Sequence, residues 1–142
     1  MHIDRNAVHT DIPALDNQHE KYFQAVERLN DICDSGAPKT DDVKAVLNNI
    51  LDYAVDNFDT EELLMETEGY ELLAQHRTKH ETFKDKLDEY FEELDSGSDL
   101  DRLSKRMNHL LVEWFTNQIQ DDDMKLADFL KQRKQNHSRR AG

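Results

Sequence analysis

The sequence predicts an all-α protein, an antiparallel up-down-up-down four-helix bundle, on three observations. Apolar residues recur at three- and four-residue spacing along four long stretches, and β-branched runs of period two are absent. Four glycines and two prolines in 142 residues leave few places for the chain to break. The turn-like segments DSGAPKTDD (34–42), TEGYE (67–71) and DSGSDLD (95–101) are short, and short connections between long helices make neighbours antiparallel.

The first helix is expected near 14–33, through Leu15, His19, Tyr22, Val26 and Leu29. The second, near 40–66, carries Val43, Leu47, Ile50 and Ala54 on one line, which then continues through Asn57 and Glu61 to Leu64. The third, near 71–95, uses Leu72, His76, His80, Phe83, Leu87, Phe91 and Leu94. The fourth begins near 99 with Leu103, Met107, Leu110, Trp114 and Gln118, with a bend before Leu126, Phe129 and Leu130. Thr40 and Ser98 precede acidic residues and are the expected N-caps.

Charge narrows the function classes. The chain carries a net −13, which argues against nucleic acid or an anionic membrane surface as its partner. Residues 131–142, KQRKQNHSRRAG, hold five basic residues and no acid, so residues 1–130 set 13 basic against 31 acidic residues, a net −18. That tail reads as a frayed end or as a linker. Cys33 is alone and forms no internal disulfide, which fits a reducing, cytoplasmic setting, and on a helix face it reads as a small core residue. No apolar run is long enough to insert in a membrane. The glycines stand singly, so no phosphate-cradling loop is present, and no motif argues for a catalytic triad.

The polar residues on the apolar lines share one end. In an up-down bundle the start of helix one, the end of two, the start of three and the end of four are neighbours. His19, Asn57 with Glu61, His76 with His80, and Gln118 with Asp123 fall at those four places. A buried carboxylate without a partner costs several kcal/mol, roughly, so an inward acid implies a cation. HRTKH (76–80) alone is a weak signal, because helix surfaces carry His freely. Three imidazoles and two carboxylates at one level make a metal site, and their number suits two ions better than one. Imidazole with carboxylate suits iron, manganese or zinc. The ferritin-like subclass needs Glu-x-x-His pairs, and the chain has none.

The motifs together resemble the hemerythrin-like family across nearly the whole chain. LDNQHEKYF resembles its first-helix Asp-x-Gln-His motif, and NFDTEELLM its His-Phe-x-x-Glu-Glu-x-x-Met motif. HRTKH resembles its third-helix His pair, and WFTNQIQDDD its Trp-x-x-x-His-Ile-x-x-x-Asp motif. The resemblance implies a bundle over 1–130 followed by a basic tail or linker at 131–142. It implies two non-haem, oxygen-bridged iron ions held by His19, Glu61, His76, His80 and Asp123, with Glu61 and Asp123 as bridges. His76 and His80 would serve one iron and His19 the other. Asn57 and Gln118 stand where the family has His, and so are weak or lost ligands. Trp114 would wall the pocket, and Phe115 stands where the family usually has a Leu shielding it.

The function expected of such a site is that of a sensor of O2 or another small oxidant rather than an oxygen store or an enzyme. With open positions on both irons, a diferrous site is oxidised irreversibly. Similar domains are input modules of signalling proteins such as diguanylate cyclases, so a fused or partner output domain is expected. The alternatives are an iron-depleted interaction module and a weak O2-, peroxide- or NO-reacting oxidoreductase. Met65 reads as core. Asp121 and Asp122 read as solvated, with a role at a vacant position as the other reading. His2, His9, His109 and His137 read as surface.

Overall fold

A computed structural model of the chain describes residues 4–141, with side chains up to residue 136. After a short 3-10 turn at Asn6–Val8, α1 spans Pro13–Asp34, α2 Thr40–Glu68 and α3 Leu73–Asp95. The fourth rod is continuous but compound. It consists of α4 (Leu100–His109), a π turn (Leu110–Trp114), α5 (Phe115–Gln118), a second π turn (Ile119–Asp123) and α6 (Met124–Ala141). α1 packs on α2 and α4, and α3 on α2 and α4, which closes the up-down-up-down bundle. No helix among the described residues is long and apolar enough to cross a membrane.

Local chemistry sets the ends. Pro13 opens α1, where its missing N–H is no loss. Asp16 then folds back to accept from the Thr10 and Asp11 amides and the Thr10 hydroxyl. α2 ends at Gly69 in the left-handed region, and the Tyr70 amide closes on the Met65 carbonyl at 2.8 Å. The two expected caps sit elsewhere. Thr40 is the first residue inside α2, behind a Lys39 that makes no side-chain cap. Asp99, not Ser98, caps α4, accepting from the Asp101 amide at 3.0 Å. Asp99 stands one residue nearer the helix and is itself a strong capping residue, so it takes that position.

The second π turn lies where a bend is expected before Leu126. The tail expected to begin after residue 130 as a frayed end or linker is helical as far as Ala141, with residues 131–136 exposed. Lys131 and Arg133 pair with Asp11 and Glu68. The main apolar core includes Tyr22, Phe23, Val26, Leu47, Ile50, Phe58, Phe83, Leu87 and Phe115. A smaller cluster of Leu15, Met65, Tyr70 and Leu126 lies nearer the end. His19, Glu61, His76, His80 and Asp123 fall between these two clusters in sequence, while Asn57 and Gln118 each lie one residue inside the main one, before Phe58 and Ile119.

Candidate metal centre

Periodicity brings most of the site residues inward. Asn57 and Glu61 are one turn apart on α2, and His76 and His80 one turn apart on α3, so each pair shares a face. Gln118 and Asp123 are five residues apart, which on an α-helix turns them about 140° away from each other. The π turn at Ile119–Asp123 removes that mismatch by widening the helix by one residue. All seven side chains, His19, Asn57, Glu61, His76, His80, Gln118 and Asp123, are 5% exposed or less.

They converge. One oxygen of Asp123 lies 3.2 Å from His76 Nε2, and the other lies 3.2 Å from His19 Nε2. His80 Nε2 is 3.8 Å from Glu61 Oε2. Ligand atoms of Glu61, His76 and His80 lie within 4.8 Å of one another, as do those of His19, Glu61 and Asp123. Glu61 belongs to both groups, and Asp123 offers an oxygen to each side, so the arrangement is two cation seats joined by two carboxylates.

The polar atoms confirm that the groups are not built for each other. His19 Nδ1 and Nε2, Asn57 Oδ1, both Glu61 oxygens, His80 Nε2, Gln118 Nε2 and Asp123 Oδ2 have no hydrogen-bond partner. His19 and Asp123 are close in distance yet misaligned as donor and acceptor. Each such buried orphan costs about 1–3 kcal/mol. Cations accepting the carboxylate, carbonyl and imidazole lone pairs satisfy most of them, so the residues fit a dinuclear metal centre. The set holds nitrogen and oxygen but no thiolate, and Cys33 is remote, half-buried against the main core.

Electrostatics agree. Burial, and after it the charge of Asp123, pushes the Glu61 carboxyl well above its ordinary range. Burial acts the same way on Asp123, but its contacts with Glu61, His19 and His76 outweigh it and hold that carboxyl low. Burial lowers the His80 pKa against the pull of Glu62, favouring the neutral imidazole that a metal needs.

Three further residues position the site, and each lies outside the motif ligands. Glu62 accepts from His80 Nδ1 at 3.0 Å, leaving Nε2 to face the seats. It is held in turn by Arg77 at 3.1 Å. Phe58 stacks on His80 with ring centroids 3.9 Å apart. Gln18 receives the Asn57 amide N–H at 3.2 Å. Their sequence signal is adjacency: Glu62 follows Glu61, Phe58 follows Asn57, and Gln18 precedes His19.

The remaining expectations resolve individually. Phe115 packs, stacked on Tyr22 at 3.7 Å between centroids and edge-on to His19 at 5.8 Å. Trp114 is half-buried, 4.7 Å from the Phe83 ring and 6.4 Å from that of Phe58. Met65 is core. Asp122 is engaged by Lys79 at 2.6 Å and Asp121 is exposed, so neither fills a seat. His9 and His109 are exposed and pair with nearby carboxylates. His2 and the His137 side chain lie outside the described residues.

Comparison with known proteins points to the same chemistry. Residues 10–130 match the model of the hemerythrin HHE cation-binding domain. A bacteriohemerythrin from Pseudomonas aeruginosa is 28% identical over 124 residues, covering 87% of this chain and 78% of the relative. One from Stenotrophomonas maltophilia is 30% identical over 120 residues, covering 84% and 75%. A third, from Clostridium acetobutylicum, is 25% identical over 120 residues, covering 82% and 92%. With a match spanning most of its length, a closed four-helix bundle and two carboxylate-linked cation seats, this chain belongs to the hemerythrin family of cation-binding domains.

Proposed function

We propose that this domain holds two non-haem iron ions and reports oxygen or redox state as the input module of a signalling protein. The observation that carries the reading is a pair of amides inside an otherwise intact cluster. Asn57 and Gln118 are buried at the places of two imidazoles, while His19, Glu61, His76, His80 and Asp123 remain together. Fewer neutral nitrogen donors hold iron(II) less firmly and leave more of each ion open to water or a small oxidant. That suits a detector better than a store.

Bound iron supplies one-electron chemistry toward O2 or another small oxidant. The protein's part is to hold and shield. Glu61 and Asp123 join the seats, Glu62 fixes the ring of His80, and Phe58 and Phe115 cover the imidazoles on the core side. Asp123 is the last residue of a π turn, and α6 begins at the next residue. A displacement of Asp123 therefore starts at the root of a helix that runs to Ala141, where an output domain would attach.

The test is iron content and optical spectrum, before and after air, of protein expressed and loaded anaerobically. Two irons per chain and one irreversible spectral change on oxidation are expected. Reversible O2 uptake would mark a store. Near-zero iron after loading would leave an interaction module built on an emptied bundle, and turnover of peroxide or NO beyond stoichiometry would make the domain an oxidoreductase.

A further inference from the structure

The two amides are not equivalent. The Asp56 carbonyl can only accept, and it takes the Thr60 hydroxyl proton at 2.9 Å. Thr60 Oγ1 is thereby left as an acceptor, and Gln18 Nε2 donates to it at 2.9 Å. The Gln18 carboxamide is then fixed with Oε1 turned to Asn57, whose Nδ2 donates to it at 3.2 Å. Asn57 has its nitrogen committed outward, and its Oδ1 is buried with no partner. Asn57 stands one turn before Glu61 on α2, in contact with Gln18, the residue next to His19. Gln118 has no such relay, and its buried Nε2, which cannot bind a cation, is left without a partner.

We propose that Asn57 is a metal ligand aimed by Gln18, and that it makes the His19 seat the one manganese(II) takes when iron(II) is limiting and fills the His76–His80 seat. The proposal rests on the dinuclear centre and adds a difference between its halves. One seat offers the two imidazoles of α3 with Glu61 and Asp123, two nitrogens and two oxygens. The other offers His19 with Asn57 Oδ1, Glu61 and Asp123, one nitrogen and three oxygens. Imidazole favours iron over manganese, and carboxylate and carbonyl oxygen suit manganese. Iron(II) binds more tightly than manganese(II) at either seat, but its advantage is smallest where oxygens dominate. With both metals present in limiting amounts, the lowest total free energy places iron on the α3 pair and manganese at His19–Asn57. Gln18 is a positioning residue here and touches no metal.

The experiment supplies metal-free full-length protein, under anaerobic conditions, with one equivalent each of iron(II) and manganese(II). Metal analysis gives the retained ions, and anomalous diffraction at the two absorption edges gives their seats. One of each is expected, with manganese beside His19. Asn57→His equalises the donor sets and scrambles the metals between the seats. Asn57→Ala and Gln18→Leu weaken the second ion about 10- to 100-fold while the first is retained. Gln18→Glu keeps an acceptor for the Asn57 amide and rescues both binding and selectivity, which a merely structural Gln18 would not show. Scrambled metals in the wild type, or a second ion bound equally well by Asn57→Ala, overturn the proposal and leave the di-iron reading standing. Failure of every variant, wild type included, to retain any metal overturns both.

Discussion

The main apolar core and the polar layer beside it are buried to the same degree and built on opposite terms. In the core, rings interlock: Phe83 lies 4.7 Å from Trp114, 5.6 Å from Phe58 and 5.9 Å from Phe115, and every contact is already made. In the layer, His76 and Asp123 complete one hydrogen bond at 3.2 Å, while atoms of His19, Glu61 and His80 and the other Asp123 oxygen lie close together without completing theirs. The first region stabilises the fold by itself. The second is held in place by the first and waits for ions. Phe58 and Phe115 belong to both, packed in the core on one side and against His80 and His19 on the other.

The largest expected effect comes from the core. Phe83→Ala removes a fully buried ring from the centre of an aromatic cluster, which costs about 3–5 kcal/mol. The loss should be nearly the same with and without metal, because the rings Phe83 packs on are those of Tyr22, Phe58, Trp114 and Phe115. Chemical denaturation in chelator and in excess metal checks this. A loss seen only in the metal-bound form would mean that the core depends on the ions.

Glu61→Gln probes the other region, and there the sign depends on conditions. Wild-type protein should gain about 2.7 kcal/mol at a free-ion concentration a hundred times the dissociation constant, and the variant, lacking the carboxylate shared by both seats, should gain far less. Without metal the order reverses. The folded-state pKa of Glu61 is raised above its unfolded value near 4.5, so the folded chain holds the extra proton. Stability from this source is complete below 4.5 and declines as pH rises toward the folded pKa. Asp123, with its folded pKa depressed, acts oppositely: its contribution is present above its unfolded value near 3.8 and is lost as pH falls below it. Metal-free wild type should therefore be most stable in mild acid and lose stability toward neutrality. Glu61→Gln should lack that decline and at neutral pH exceed the wild type by about 1 kcal/mol or more. Parallel pH profiles for the two proteins would show that Glu61 is ionised in the metal-free fold.

The same contrast explains what could be read from the sequence. The four rods and the apolar core follow from three- and four-residue spacing, because each helix must bury one face whatever its neighbours are. The ligands were legible because Asn57 and Glu61 interrupt an apolar line and because His76 and His80 repeat at one turn. Gln18 stood in the first-helix motif without a role, since its contact with Asn57 joins residues on two helices and leaves no periodic mark. Glu62 resembles half of a solvated acidic pair until α3 brings His80 and Arg77 against it. The π turn was present only as a spacing of five between Gln118 and Asp123, which α-helical counting cannot place on one face.

Tyr22 offers the finest test, because it stands where the two regions meet. Its ring is stacked on Phe115 in the core, while its hydroxyl donates to the Leu111 carbonyl at 2.6 Å, inside the first π turn. Burial raises its pKa well above the usual tyrosine value, so it stays a neutral donor at any physiological pH. A π turn spaces its backbone bonds differently from the α-helix on either side, and carbonyls at such junctions lean on outside donors. Tyr22→Phe keeps the stack and removes only that donor, so a loss of about 1 kcal/mol is expected. Because Phe115 on the same rod touches both Tyr22 and His19, the variant should also loosen metal binding slightly, read as a faster loss of iron to chelator. Unchanged stability with unchanged metal release would mean that the turn is held by the helix alone, and that the core supports the polar layer through shape rather than through this hydrogen bond.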